Sequence, residues 1–400
     1  MNKGSFASSC MAIALVGLLS QTGWAGQHFS VYSDDGSSRL AISLIAQMRW
    51  DYRYLDGDDG NSARTENMLR FRRLRPVLTG RLLDGELSFK LHVNLVPGAL
   101  ELLDLWAEYG WLPTVRIRLG QAKIPFTRHR LNSFTTQTLV DWSGPTRYFG
   151  AERQVGITIH NGLVKPGRLE YQLGFYTGVN ARASNGIGPA LVYGETTGSS
   201  SSLCNPADSL LADMHSEIVG HLAFNSSGMD PSQPRDTQGG PPRFSVGLSL
   251  AWDLAPRPGE DLRLRLAPEA QLRMWGLALD AAFYLGLADL VVGSSNYRPA
   301  LYGGLLELSW QIGESFTLAS RYSLVATTSE VRGDAAERDD LLGREAVDRI
   351  GKDQEILVGF AWQLWGQTLV WQVDLGVWWR EREQREDYSM FARTQLQLWL

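Results

Sequence analysis

The chain has 400 residues, 44% of them hydrophobic and 20% charged, with a formal net charge of −5. The mean hydropathy of −0.17 and the lack of any run approaching about 18 apolar residues exclude a membrane-spanning helix. They do not exclude a transmembrane barrel, which hides its lipid-facing side chains in alternate positions.

Residues 1–25 read as a cleaved signal peptide. Lys3 lies in a short basic region, an apolar core follows over 11–19, and Gly23-Trp24-Ala25 forms a small-x-small cleavage site. Cys10 leaves with that peptide, so Cys204 stands alone and no internal disulfide is possible. The mature part, 26–400, reads as one exported domain, because a strand period runs from Arg39 to Leu400 without a dividing linker. Export argues against a nucleic-acid partner.

The first strand places Leu40, Ile42, Leu44, Ala46, Met48, Trp50, Tyr52 and Tyr54 on one face, and Ser43, Gln47, Arg49, Asp51 and Arg53 on the other. A long apolar face ending in aromatics suits a strand that faces lipid. Residues 56–66 are acidic and Gly-rich, but they lack the spacing of a calcium loop and read as a solvated surface loop. Residues 68–82 carry Arg70, Arg72, Arg73 and Arg75. Consecutive arginines cannot share one face of a regular strand, so a bulge or phase change is expected near Pro76, with one of Arg72 and Arg73 at a rim or subunit interface.

A tight turn at 83–85 leads to the cleanest alternation, Leu87 to Leu95 against Ser88, Lys90, His92 and Asn94. Asp104, Trp106 and Glu108 then alternate with Leu103, Leu105, Ala107 and Tyr109. Val115, Ile117 and Leu119 oppose Arg116 and Arg118, and the pattern breaks at Gly120. About thirty residues follow without a strand period, carrying Lys123, Arg128, Arg130 and Arg147 against only Asp141 and Glu152. A loop this long is functional or disordered, and its aromatic, basic composition is not that of disorder.

Strands resume at 155–159 and 169–175, and residues 177–215 form a second long Gly/Ser-rich loop containing Cys204. Further strands are expected at 217–224, 244–252, 262–266, 272–285, 301–310, 316–324, 356–364, 369–379 and 388–400, sixteen in all. Connections alternate between short turns and long loops, as in outer-membrane barrels. Residues 225–242 are the exception, either a long turn or a missed strand. Trp50, Trp252, Trp310, Trp362 and Trp379 suit membrane-interface girdles better than sugar platforms.

Enzyme signatures are missing from the sequence: no HExxH, no G-x-S-x-G and no P-loop. The pair His92 and Asn94 is the only hint of a site, and a lumen-facing polar pair explains it. No metal or cofactor is expected.

Several stretches resemble the phosphate-selective porin O/P family. They are Phe71-Arg72-Arg73-Leu74-Arg75, Leu103-Asp104-Leu105-Trp106-Ala107-Glu108-Tyr109, Gly120-Gln121-Ala122-Lys123-Ile124-Pro125-Phe126-Thr127-Arg128 and Arg153-Gln154-Val155-Gly156. The resemblance implies a sixteen-stranded homotrimeric barrel in a Gram-negative outer membrane, in contact with lipid and lipopolysaccharide, whose third outer loop folds inward. The expected fold is therefore an all-β transmembrane antiparallel barrel with a long loop in its lumen. The expected function is passive diffusion of small anions, phosphate-like solutes included. Arg49, Arg53, Arg72, Arg73, Arg75, Lys90, Arg116, Arg118, Lys123, Arg128, Arg130 and Arg147 are the candidate pore-lining cations. Arginine suits such a path because its permanent charge and several donors can replace hydration at successive weak sites. A general porin balanced by Asp51, Asp104 and Glu108 is the alternative, and an outer-membrane barrel enzyme or a soluble exported β-sandwich stand behind it.

Overall fold

In the computed structural model, the described residues are 29–56, 63–95, 100–150, 153–162, 167–177, 216–255, 262–288, 290–292, 295–297, 300–327, 352–382 and 385–400. The signal peptide, Cys204 with its loop at 178–215 and most of the acidic stretch after 329 lie outside them. Sixteen antiparallel strands close into a barrel: β1 Arg39–Leu55, β2 Arg64–Leu82, β3 Leu87–Asn94, β4 Glu101–Leu112, β5 Val115–Lys123, β6 Arg153–His160, β7 Leu169–Tyr176, β8 Glu217–Asn225, β9 Arg243–Asp253, β10 Leu262–Met274, β11 Leu277–Ala288, β12 Ala300–Ile312, β13 Phe316–Thr327, β14 Lys352–Trp365, β15 Leu369–Arg382 and β16 Arg385–Trp399. Each pairs with the next in sequence, and β16 returns to β1 from Ser389↔Leu55 to Trp399↔Ile45. Phe29–Tyr32 adds a short strand on β1, and Leu290–Val292 pairs with Ser295–Tyr297 as a separate hairpin.

The period-2 alternation decides which side chain faces where. In β9 the odd positions from Arg243 to Asp253 are buried and the even ones, Phe244 to Trp252, are exposed. The exposed face is apolar and the buried face polar, the reverse of a soluble barrel and the arrangement that a lipid solvent demands. Among the described residues, no helix is long and apolar enough to cross a membrane. Closing the sheet leaves no edge whose N–H and C=O groups would face hydrocarbon.

The barrel's packed core sits inside the lumen, on residues 124–150. Ile124, Phe126 and Phe149 join a cluster with Tyr176, Val219, Tyr284 and Leu301. Phe134 and Trp142 pack on Ile45 and Val77, while Leu139 packs on Ala319, Leu357 and Phe391. Three wall sectors therefore hold one loop, and each large apolar side chain buried this way contributes about 1.5–3 kcal/mol.

Three local features differ from the sequence-based expectation. The bulge in β2 falls at Arg72, between the pairs Gln47↔Arg73 and Met48↔Phe71, not near Pro76. Gly120 does not end β5. It adopts φ +121°, where an added Cβ would lie 2.2 Å from the Leu105 carbonyl oxygen, and the strand continues to Lys123. The strand expected to stop at Leu266 runs through Pro268 to Met274, and a two-residue turn at Trp275-Gly276 follows, with φ of 50° and 85°. Positive φ at both positions is the hairpin turn that suits strand twist, here without its usual Asn-Gly signature.

Candidate functional site

The loop enters the lumen directly from β5. Its first turn is α1, Arg128–Leu131; residues Phe134–Thr136 form a 3-10 turn, and α2 spans Gly144–Phe149. Ser143 caps α2 by accepting from Thr146 N–H at 3.3 Å, with Pro145 in the first turn, where its missing donor costs nothing. Wall side chains take several of its other backbone groups. Gln372 donates to Gln137 O (2.8 Å), Gln397 to Thr135 O (3.0 Å), Arg321 to Asp141 O (2.9 Å) and Arg265 to Phe149 O (3.1 Å). Asp374 accepts from Val140 N–H at 3.1 Å and Glu269 from Arg128 N–H at 2.9 Å. An irregular segment held in a membrane-level cavity needs such partners, and here protein supplies them.

Asp141 is the loop's charged anchor. Its carboxylate lies 2.7 Å from Arg147 and 2.9 Å from Arg49 of β1. Burial pushes this carboxyl up, but the fields of Arg147, Arg49, Arg72 and Arg73 outweigh burial and hold its pKa well below the ordinary value. Lys123 Nζ donates to the carbonyls of Arg130 (2.9 Å), Leu131 (3.3 Å) and Asn132 (2.9 Å), completing the end of α1. Aromatic rings separate the cations. Arg73 and Arg75 lie 4.6 and 4.8 Å from the Phe134 centroid, and Arg130 and Lys123 lie 4.9 and 5.5 Å from that of Trp142.

The expected pore cations divide into two groups. Arg49 pairs with Asp51 and Asp141, Lys90 with Asp104, and Arg116 and Arg118 with Glu108; Arg128 pairs with Glu170. Arg53 stands apart at the outer mouth, 3.7 Å from Glu66, with its guanidinium over Trp378. By contrast, Arg72, Arg73 and Arg75 have no carboxylate in ion-pair range among the described residues. Arg73 is 6% exposed and donates to Gln47 Oε1 at 2.6 Å. Arg72 is not at a rim: its Nε is buried and it lies within Coulombic reach of Asp141, Arg49 and Arg147. The bulge turns both neighbours inward, which corrects the expectation that one of them faces a rim or subunit interface.

Sequence reasoning missed several lumen groups. Arg153 bonds Asp104 at 2.6 Å, Arg265 pairs with Glu217, Arg273 with Asp280 (2.7 Å), Arg321 with Glu355 (2.9 Å) and Arg393 with Asp374 (2.6 Å). All five occupy the polar phase of their strands, which is the signal that could have found them. His92 and Asn94 both lie on the buried lumen face: His92 Nδ1 lies 2.8 Å from Asp104 Oδ2 in a network with Lys90 and Arg153, and Asn94 donates to Glu101 at 3.3 Å. Ser249 Oγ lies 2.8 Å from His221, which is 3.6 Å from Glu170. That serine is fully buried and accepts from Thr127 N–H, so no substrate carbonyl can approach it. Among the described residues, no His/Cys/Asp/Glu group could hold a metal ion.

The connection at 226–242 holds no strand. It is a long turn folded into the lumen floor, with Met229, Pro231, Pro234, Arg235 and Asp236 buried. Asn132 of the inserted loop donates to its Pro231 carbonyl at 3.0 Å.

Residues 42–188 match the family model described as phosphate-selective porin O and P. No curated protein matches the chain. Among solved structures, it is similar to the anion-selective porin from Comamonas acidovorans, at 13% identity and TM-score 0.55, covering 90% of this chain and 100% of that one. It is also similar to the outer-membrane channel DcaP of Acinetobacter baumannii (11%, TM-score 0.56, 92% and 99% covered). A third is Pseudomonas putida OprB (10%, TM-score 0.57, 92% and 95% covered). At these identities the structures speak for the fold alone. The likeness is one of fold, and a closed sixteen-stranded barrel with an apolar outer face fits a multi-pass place in a Gram-negative outer membrane.

Proposed function

We propose that the protein is a passive outer-membrane channel for small anions, phosphate-like solutes included. The observation that carries this reading is the row Arg72, Arg73 and Arg75 on β2, which has no carboxylate in ion-pair range among the described residues and faces a loop bearing Arg130 and Arg147. An anion entering here would exchange water for guanidinium donors that keep their charge at any physiological pH. Several stations at similar strength let it move on instead of being trapped. Single-channel reversal potentials in a KCl gradient test this. Anion-favouring potentials are expected, and cation-favouring ones would overturn it.

A general porin without anion preference is the second reading. The pairing of Arg49, Lys90, Arg116, Arg118 and Arg128 with carboxylates favours it, because opposed charges orient solutes without selecting one sign.

The channel works as a homotrimer in lipid and lipopolysaccharide. Strands β3, β6 and β7 have eight residues each. Tilted at about 45°, eight residues rise only roughly 19 Å, short of the ~25 Å apolar band. A wall that low suits burial against neighbouring copies, whereas β12 to β16 reach lipid height and carry Trp310, Trp362 and Trp371. Chemical cross-linking in the membrane would give a trimer; a monomer ladder would count against it.

A further inference from the structure

The turn at 226–242 enters from the end opposite to the inserted loop, the short-turn end that faces the periplasm. It starts after β8 and crosses the floor of the lumen to β14. Arg273 of β10 donates to its Gln233 carbonyl at 3.2 and 2.9 Å. Asp236 bonds Arg243 (2.5 Å) and the Gly276 N–H (2.8 Å). Arg235, 3% exposed, reaches the far wall at Gln363; with that amide assigned so that its oxygen faces the guanidinium, it accepts from both terminal nitrogens, at 2.5 and 3.2 Å. The same amide donates to the Glu314 carbonyl at 3.2 Å.

Where the two inserts meet, a small polar crevice with room for about one water is lined by His129, Asn132, Gln137 and Trp142 of the loop, Pro234 of the turn, and Arg321 of the wall, among others. A solute that has passed the loop on its way to the periplasm meets the turn next, because the turn lies at the short-turn end of the barrel. The Asn132–Pro231 bond is where the two layers touch.

We infer that residues 226–242 form a second constriction, on the periplasmic side and in series with the outer loop. Resting on the channel reading above, it makes permeation depend on two barriers instead of one. Arg235 is the cation of this floor, and its described partner is an amide, not a carboxylate; Asp236 is offset by Arg243, and Asp230 bonds Ser232 on the same turn, so the floor presents Arg235 and Asp230 as separate charges along the path.

The test compares the full-length wild type with a variant in which residues 228–242 are replaced by Asn-Gly, a turn that suits the β8–β9 hairpin. Heat-modifiable migration checks that both form barrels. If two comparable resistances act in series, the shortened variant conducts roughly two-fold more than wild type per channel. An unchanged single-channel conductance overturns the inference. Whether the wild type conducts at all is a separate reading and decides the channel function alone. If the shortened variant does not fold, Arg235→Glu keeps the inference open to refutation. That variant should move the reversal potential towards cations, and unchanged potential and conductance would take the turn off the path.

Discussion

Arg49 of the first wall strand donates through Nη1 to Asp141 Oδ2 at 2.9 Å, tying the barrel wall to the deepest part of the inserted loop. Arg147 approaches the same oxygen at 2.7 Å. Removing one partner from a buried ionic knot leaves the others uncompensated, at a cost of about 3–5 kcal/mol. Asp141→Asn should therefore lower the temperature at which the barrel loses its folded migration. The same change exposes extra positive charge at the constriction, so the reversal potential should move towards anions. A variant with wild-type stability and selectivity would remove Asp141 as the anchor.

The acid dependence of that anchor has a definite sign. The folded Asp141 carboxyl titrates well below its ordinary value, beneath the pull of Arg147 and Arg49 against burial. Its stabilisation is complete above the unfolded value of about 3.9 and fades as pH falls towards the folded one. The stability gap between wild type and Asp141→Asn should stay level from pH 8 to about pH 5 and shrink only below about pH 4. A gap that closes near neutrality would contradict this.

Paired and unpaired arginines should respond differently to neutralisation. The double change Arg73→Gln with Arg75→Gln removes two cations that have no carboxylate in ion-pair range among the described residues, together with their contacts to the Phe134 ring, worth about 0.5–2 kcal/mol each. The anion-to-cation permeability ratio should fall several-fold. Arg116→Gln, whose charge Glu108 already offsets at 2.9 Å, should shift it far less. Equal effects would mean that pairing does not decide which cations a passing ion feels.

Lys123→Met tests position separately from charge. Three carbonyls lose their donor, and each left unmet in a buried setting costs about 1–3 kcal/mol. Open-channel current should become noisier as the loop loses its fixed seat. Quiet current with an altered ion preference would assign Lys123 to the path instead of to the loop's support.

Gly120→Ala should fail at assembly. The position sits at φ +121°, open to glycine alone at little cost, and a Cβ would meet the Leu105 carbonyl at 2.2 Å. The yield of folded barrel should drop sharply, while Gly85→Ala, with free space around its Cβ, retains more of it.

Much of the wall could be read directly, because period-2 alternation survives wherever one face meets lipid and the other a polar lumen. Val115 to Leu119 and Leu87 to Asn94 are plain instances. The inserted loop was legible as a break in that period with basic and aromatic residues. The pairing of its charges was not. Glu108 meets Arg116 and Arg118 only because the β4–β5 register sets Gly110 opposite Arg116 and Glu108 opposite Arg118. The bulge at Arg72 is likewise a matter of register, since four arginines in six residues fit more than one phase. The connection at 225–242 stands out in the sequence as too long for a turn, but its inward fold does not, because its Pro, Gly and Asp residues read like any solvated loop and only tertiary contacts draw it into the lumen.

Gln47 of β1 donates to Gln397 of β16 at 2.6 Å across 350 positions of sequence. Contacts that distant form late, since the whole intervening chain must be ordered before they gain anything. Closure therefore carries the largest loop-closure cost in the barrel, and a first or last strand left unpaired presents an unmet hydrogen-bonding edge. A lesion in the last strand would yield not a leakier barrel but an unzipped sheet, open to pairing with its own kind.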